Sequence, residues 1–333
     1  MSRIFVHGIG AVSPAGWGVS ALCEALKKGG PLPVQNLPRP GWEKPLRVRT
    51  VPAPAVRPAF LAHPRLRRAG AMAQHTVAAA LEALGDDVAR VRSGELRLGV
   101  IVCTMVGGMT YTRRFYEELL REPATASPLI FPETVLNAAA SHVGAFLGAK
   151  EINYTLVGDE GAYLQGLALA ADWLANARAD GCVIVGAEEV DWIVADAVRL
   201  FEPQAVHAGG AGALYLKKDS PSRVELTAIT DSFIFTKEQT RAKAAARMKS
   251  QLPAGSANEL LCDGGDDFMT WSNWPGRRLA PKTVLGEAFV ATAAWQCVSA
   301  CRAISQNEFS AANVSVVGAN QQAIGARFAR NNL

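Results

Sequence analysis

Apolar runs rich in Val and Ile alternate along most of this chain with Ala- and Leu-rich stretches of helical period. That alternation restricts the fold more than any other feature. Residues 3–10 (RIFVHGIG), 96–104, 151–158 and 179–189 read as strands covered on both faces. Residues 19–29, 69–85 and 162–178 carry apolar stripes at helical spacing. A second set follows: strand-like runs at 222–233 and 258–265, a long helix from about 286 to 304, and a strand–turn–strand pattern at 313–329. This is βαβ logic and calls for an α/β fold with covered sheets. The proline-rich residues 30–65 stand apart as an extended excursion.

With 333 residues, 49% of them hydrophobic and 19% charged, the chain has ample material for a large core and no disorder signature. The net charge of +4 is too mild for a nucleic-acid-binding surface. No apolar run reaches membrane-span length, and the opening MSRIFVHGIG breaks at glycine too early for a secretory leader. Cys23, Cys103, Cys182, Cys262, Cys297 and Cys301 lack CxxC spacing and sit among apolar residues, which reads as reduced, buried thiols of a cytoplasmic protein. Cys262 in particular belongs to a core strand.

The stretch NYTLVGDEGAYLQGLALAA (153–171) reads as strand, sharp turn and helix, with Glu160 at the turn. Such an elbow is where many folds display a nucleophile. Its context resembles the β-ketoacyl-ACP synthases (ketosynthases) of the thiolase superfamily. The likeness rests on IFVHGIGAVSPAGWGVSALCEALKKG (4–29), GVIVCTMVGGM (99–109), SPLIFPETVLNAAASHVGAFLG (127–148), the elbow itself, ADGCVIVGAEEV (179–190) and HAGGAGALYL (207–216). It resumes more weakly at LLCDGG and APKTVLGEAF. The resemblance implies an α/β thiolase-like fold over residues 1–333, with two related βαβ halves, 1–218 and a shortened 222–333, in five layers (α-β-α-β-α). The chain is shorter than such proteins usually are, mainly between Lys218 and Glu259.

Condensing members of that family use a cysteine at the elbow and two histidines. A thiolate takes the acyl chain, and the imidazoles assist decarboxylation and stabilise the enolate. Laid onto the family pattern, Glu160 stands at the nucleophile, Asp263 at the first histidine and Glu287 at the second, while Lys282 and Gly286 are retained. The five histidines are His7, His63, His75, His142 and His207, so no shift of alignment restores an imidazole in the second half. His207 itself reads as a loop residue.

The resemblance would bring Glu160, Asp263 and Glu287 into one pocket beside Lys282. Three buried carboxylates cannot all stay charged unaided. The site is then an ion-paired plug, a new acid–base site, or an oxygen-ligand metal site for Mg²⁺ or Ca²⁺. No cofactor is implied. Loss of the triad points to a chain-length-factor-like subunit without condensing activity, paired with an active ketosynthase. The alternatives are a homodimeric enzyme or an acyl-binding protein that reuses the pocket. Arg65, Arg67 and Arg68 offer an acyl carrier protein a basic contact, or are a solvated helix start. Residues 236–250 read as a basic solvated helix, and Trp271 and Trp274 as pocket filling or interface.

Overall fold

The computed structural model describes residues 3–220, 222–265 and 270–331. The strands carrying the fold are β1 (Ile4–Ser13), β2 (Leu98–Thr104), β3 (Asn153–Val157), β4 (Gly181–Glu188) and β5 (Gly210–Lys218), then β6 (Val224–Ile229), β7 (Glu259–Cys262), β8 (Arg277–Leu279), β9 (Ala311–Val317) and β10 (Gln322–Arg330). The helices used below are α1 (Val19–Lys28), α2 (Ala71–Leu84), α3 (Met109–Arg121), α4 (Ala138–Leu147), α5 (Ala162–Ala175), α6 (Trp192–Phe201), α7 (Arg241–Ser250), α8 (Pro281–Leu285) and α9 (Val290–Ser305).

The strand order repeats. From β1 outward the sheet runs β5, β4, β2, β3, pairing antiparallel, antiparallel, parallel, parallel. From β6 outward it runs β10, β9, β7, β8 with the same pattern. The two runs join where β1 pairs antiparallel with β6, Ile4 opposite Leu226, so they form one 12-stranded sheet among the described residues. Helices α5 and α9 lie between the two wings, α2 and α4 cover the outside of the first, and α7 covers the outside of the second. This is the implied α-β-α-β-α order.

Small residues let the central helix sink between the wings. A Cβ on Gly186 of β4 would lie 2.7 Å from the Val290 carbonyl oxygen, and one on Gly212 of β5 would lie 2.8 Å from the Ala294 methyl. Helix α9 is accordingly buried on nearly every face.

Three expectations are corrected. Strand β3 is not covered on both faces, because it is the sheet's outer edge: Tyr154 and Val157 are 49% and 53% exposed. The long helix begins at Val290 rather than Gly286. Gly286 (φ 97°) and Phe289 (φ 44°) both take left-handed backbone, which an α-helix excludes. Within 30–65, Gln35–Leu37 and Leu46–Arg49 form a small sheet with His207–Ala208. All six cysteines are free thiols, five of them buried, and Cys262 lies in the main core. No helix among the described residues is long and apolar enough to cross a membrane.

Candidate functional site

Glu160 sits at the turn between β3 and α5, as the elbow pattern requires. Its neighbour Asp159 is fully buried and fastens the elbow to the turn between β9 and β10. The Asp159 Oδ2 accepts from the Gln321 and Gln322 amides at 2.8 and 3.3 Å, and its Oδ1 from Gly161 N at 3.2 Å. Glu160 Oε2 accepts from Ala319 N at 2.8 Å. The same turn is why position 161 is glycine: a Cβ there would stand 2.7 Å from the Gln322 side chain. The turn between β9 and β10 is thus pinned to the elbow by two adjacent acids.

Glu287 lies just before α9 and is 4% exposed. Its main chain bridges to His207, with Glu287 N donating to Val206 O and Ala208 N donating to Glu287 O. Its Oε1 accepts from Phe289 N at 2.7 Å and from the Thr292 hydroxyl at 3.3 Å, so the carboxylate caps the start of α9, where the helix dipole favours negative charge. Its Oε2 pairs with Lys282 Nζ at 2.7 Å, and Lys282 also reaches Glu202 at 3.2 Å.

Burial, and then the charge of Glu287, push the Glu160 carboxyl up to about 8. At neutral pH the elbow therefore favours a protonated, neutral carboxyl beside the Glu287–Lys282 contact. The cost of burying a charge next to another like charge exceeds what one amide donor and a helix end return.

Asp263 does not join them. Its carboxylate, 1% exposed at the end of β7, is held by the Arg278 guanidinium, with Nε at 3.1 Å, and accepts from Gly265 N at 3.0 Å. The structure therefore brings together Glu160, Glu287 and Lys282, and a separate ion pair takes the third acid. Among the described residues no three His, Cys, Asp or Glu side chains are grouped to hold a metal ion.

Glu160, Glu287 and Lys282 line a cavity of about 410 Å³ with Glu202, Arg241, Thr292 and Gln296. The sequence reading missed those four. Glu202 follows the end of α6 and Arg241 opens α7, elements with no local signal tying them to the elbow. Thr292 and Gln296 line the cavity from α9, one helical turn apart. A larger cleft of about 510 Å³ lies elsewhere, around Cys23 and Arg302. Two carboxyl groups with separated ionisation, one protonated and one ion-paired, can donate and accept protons around a bound molecule. Neither can stand in for a thiolate.

Of the remaining expectations, His207 is a correction: it lies in a short strand, 1% exposed, with its ring nitrogens 3.2 Å from the carbonyl oxygens of Glu287 and Glu189. It supports the main chain of Glu287. Trp271 and Trp274 are core, stacked edge to face at 5.5 Å. Helix α7 is not a free solvated face, since Ala244, Ala245 and Met248 are buried and Arg247 and Lys249 lie over Phe233 and Trp271. Arg65, Arg67 and Arg68 are exposed around a 3₁₀ turn anchored by buried Leu66. A further acid pair escaped notice: Glu188, buried and pushed up to about 8 by its burial, and Glu189 together hold the loop 104–110 through backbone amides.

No family model matches the chain. In sequence it is 27% identical over 194 residues to the 3-oxoacyl-[acyl-carrier-protein] synthase 2 of Coxiella burnetii, a match spanning 56% of this chain and 45% of that protein. In structure it is similar to the ishigamide ketosynthase/chain length factor (TM-score 0.81, 16% identity, 98% of this chain and 99% of that one). It is also similar to a β-ketoacyl synthase from Burkholderia phymatum (0.80, 15%, all of both chains). A third likeness is to a ketosynthase, ApeO, in complex with its chain length factor, ApeC, from Xenorhabdus doucetiae (0.76, 13%, 99% and 98%). The chain has the thiolase-like fold of the ketosynthases and resembles a β-ketoacyl-ACP synthase in sequence.

Proposed function

We propose that this chain, a single 1–333 domain whose halves meet between residues 218 and 222, performs no condensation of its own. It acts in the cytoplasm as the chain-length-factor-type partner of an active ketosynthase in fatty-acid, polyketide or aryl-polyene synthesis. The observation that carries this reading is Glu160 at the elbow: a carboxyl, held by Ala319 N and beside the Glu287–Lys282 pair, where a condensing enzyme needs a thiolate. An acyl group moved onto a carboxylate would be a reactive anhydride rather than a stored intermediate.

The partner half of the proposal is supported by β3. An edge strand with one free side is a template for pairing. Exposed Leu129, Phe131, Val135 and Leu136 precede α4, which packs on that same strand. Two of the similar structures are described as containing a ketosynthase and a chain length factor. The mate of β3 is a ketosynthase subunit, and Arg65, Arg67 and Arg68 are exposed for an acyl carrier protein. Co-expression tests this: a tagged copy of this chain should retain the ketosynthase through size exclusion, and a clean homodimer with the ketosynthase left behind would contradict it.

One observation favours a second reading. The cavity beside Glu160 is open rather than filled, so a homodimeric enzyme or acyl-binding protein could reuse the two acids. Under that reading Glu160→Gln leaves a stable protein without biological output; under the first, complementation survives the change.

A further inference from the structure

Arg49 ends the short strand Leu46–Arg49, which pairs with His207–Ala208 beside Glu287. Its side chain is only 7% exposed, yet the fork of the guanidinium is unused. The Nε donates to Leu32 O at 2.8 Å, and among the described residues the two terminal nitrogens have no hydrogen-bond partner and no carboxylate within ion-pair distance. Burial and the neighbouring Arg47 pull its pKa below the ordinary arginine value. The stem is buried while the fork opens onto a cleft, so its terminal donors are left for water or a bound acceptor group to take.

The fork lines a cleft of about 430 Å³ shared with Gln204, Val206, Lys282, Thr283 and Gly286. Gly286 borders the fork; its φ of 97° and the Val206 carbonyl oxygen, 2.6 Å from where a Cβ would lie, require glycine there. The carboxylates in the cleft, Glu202 and Glu287, already share Lys282. Among the described residues, Arg49 is the lining cation with no carboxylate in ion-pair distance.

We infer that this cleft binds the carboxylate group of a small organic acid, held two-pronged by the Arg49 guanidinium. The planar fork matches a carboxylate. Among the described residues the lining acids Glu202 and Glu287 balance Arg49 and Lys282, so a monocarboxylate adds less excess negative charge there than a phosphate dianion would. The cleft shares Glu202, Gly264, Lys282 and Glu287 with the Glu160 cavity, so the rest of such a ligand would extend toward the two acids. The inference does not depend on what the elbow does.

Titration calorimetry of the purified chain with butyrate, and separately with inorganic phosphate, in chloride buffer at constant ionic strength tests it. Saturable one-to-one butyrate binding is expected for the unaltered chain. Arg49→Gln should weaken it by at least about tenfold, and Arg49→Lys should weaken it less, because a charge-assisted pair is replaced or reduced to one contact. Without ligand, Arg49→Gln should melt no lower than the parent, and butyrate should raise the melting temperature of the parent alone. Absence of butyrate binding at millimolar concentration overturns the site, whether or not the variants fold. Equal affinity in Arg49→Gln also overturns it, as does phosphate binding tighter than butyrate or a variant that melts far below the parent with no butyrate effect in either.

Discussion

Glu160 and Lys282 play unequal parts, and two substitutions separate them. Lys282 neutralises Glu287, which is 4% exposed and also caps α9. Lys282→Met leaves that carboxylate buried without its cation, and a loss of about 3–5 kcal/mol of stability is expected, read as a lowered melting temperature. A thermally silent Lys282→Met would remove the ion pair from any structural account. Glu160 behaves in the opposite sense. Its carboxyl titrates near 8 in the folded chain against an ordinary value of 4.5, so the folded state binds that proton more tightly than the unfolded one. The resulting stabilisation is whole below pH 4.5 and is lost as pH rises through 8. Glu160→Gln keeps the shape and carries no charge at any pH. It should match the parent near pH 5 and exceed it by an amount on the order of a few kcal/mol at pH 9. Chemical denaturation across that range checks this, and a variant that loses stability at high pH would show the carboxylate to be the favoured form.

At the scale of elements, the strand–elbow–helix at 153–171 was legible because its apolar run, small residues and helical stripe all agree. The exposure of β3 was not. Its sequence, NYTLV, mixes polar and β-branched residues, and only the sheet order shows it to be at the edge. A strand with a free edge implies a mate. Val157→Lys places a charge on that edge without touching the core and should convert the assembly to a folded monomer by light scattering, with circular dichroism unchanged. An unaltered oligomer would place the interface elsewhere. The convergence of three acids was misjudged for a related reason. Asp263 was placed by alignment, but its direction depends on Arg278, fifteen residues on in a neighbouring strand. The late start of α9 follows from Phe289, a non-glycine residue at positive φ whose amide is held by Glu287, and nothing in its sequence marks it.

Taken whole, the molecule has the thiolase-like fold of the ketosynthases around a cavity lined by Glu160, Glu287 and Lys282. The helical stripes of α5 and α9 and the absence of histidine after residue 207 could be read from the chain alone, and the resemblance implied the two halves, while the repeat of strand order emerged only in the structure. The cavity walls could not, because Glu202, Arg241, Thr292 and Gln296 meet there from three separate elements. The central claim is that this scaffold does not condense. It is tested most directly by supplying the purified chain with acyl- and malonyl-loaded acyl carrier protein, following β-ketoacyl product, and mapping acyl adducts by intact and peptide mass. The account requires no product from the chain alone, no adduct on residues 158–162, and product once an active ketosynthase is bound to it. A β-ketoacyl product formed by the chain alone would contradict it.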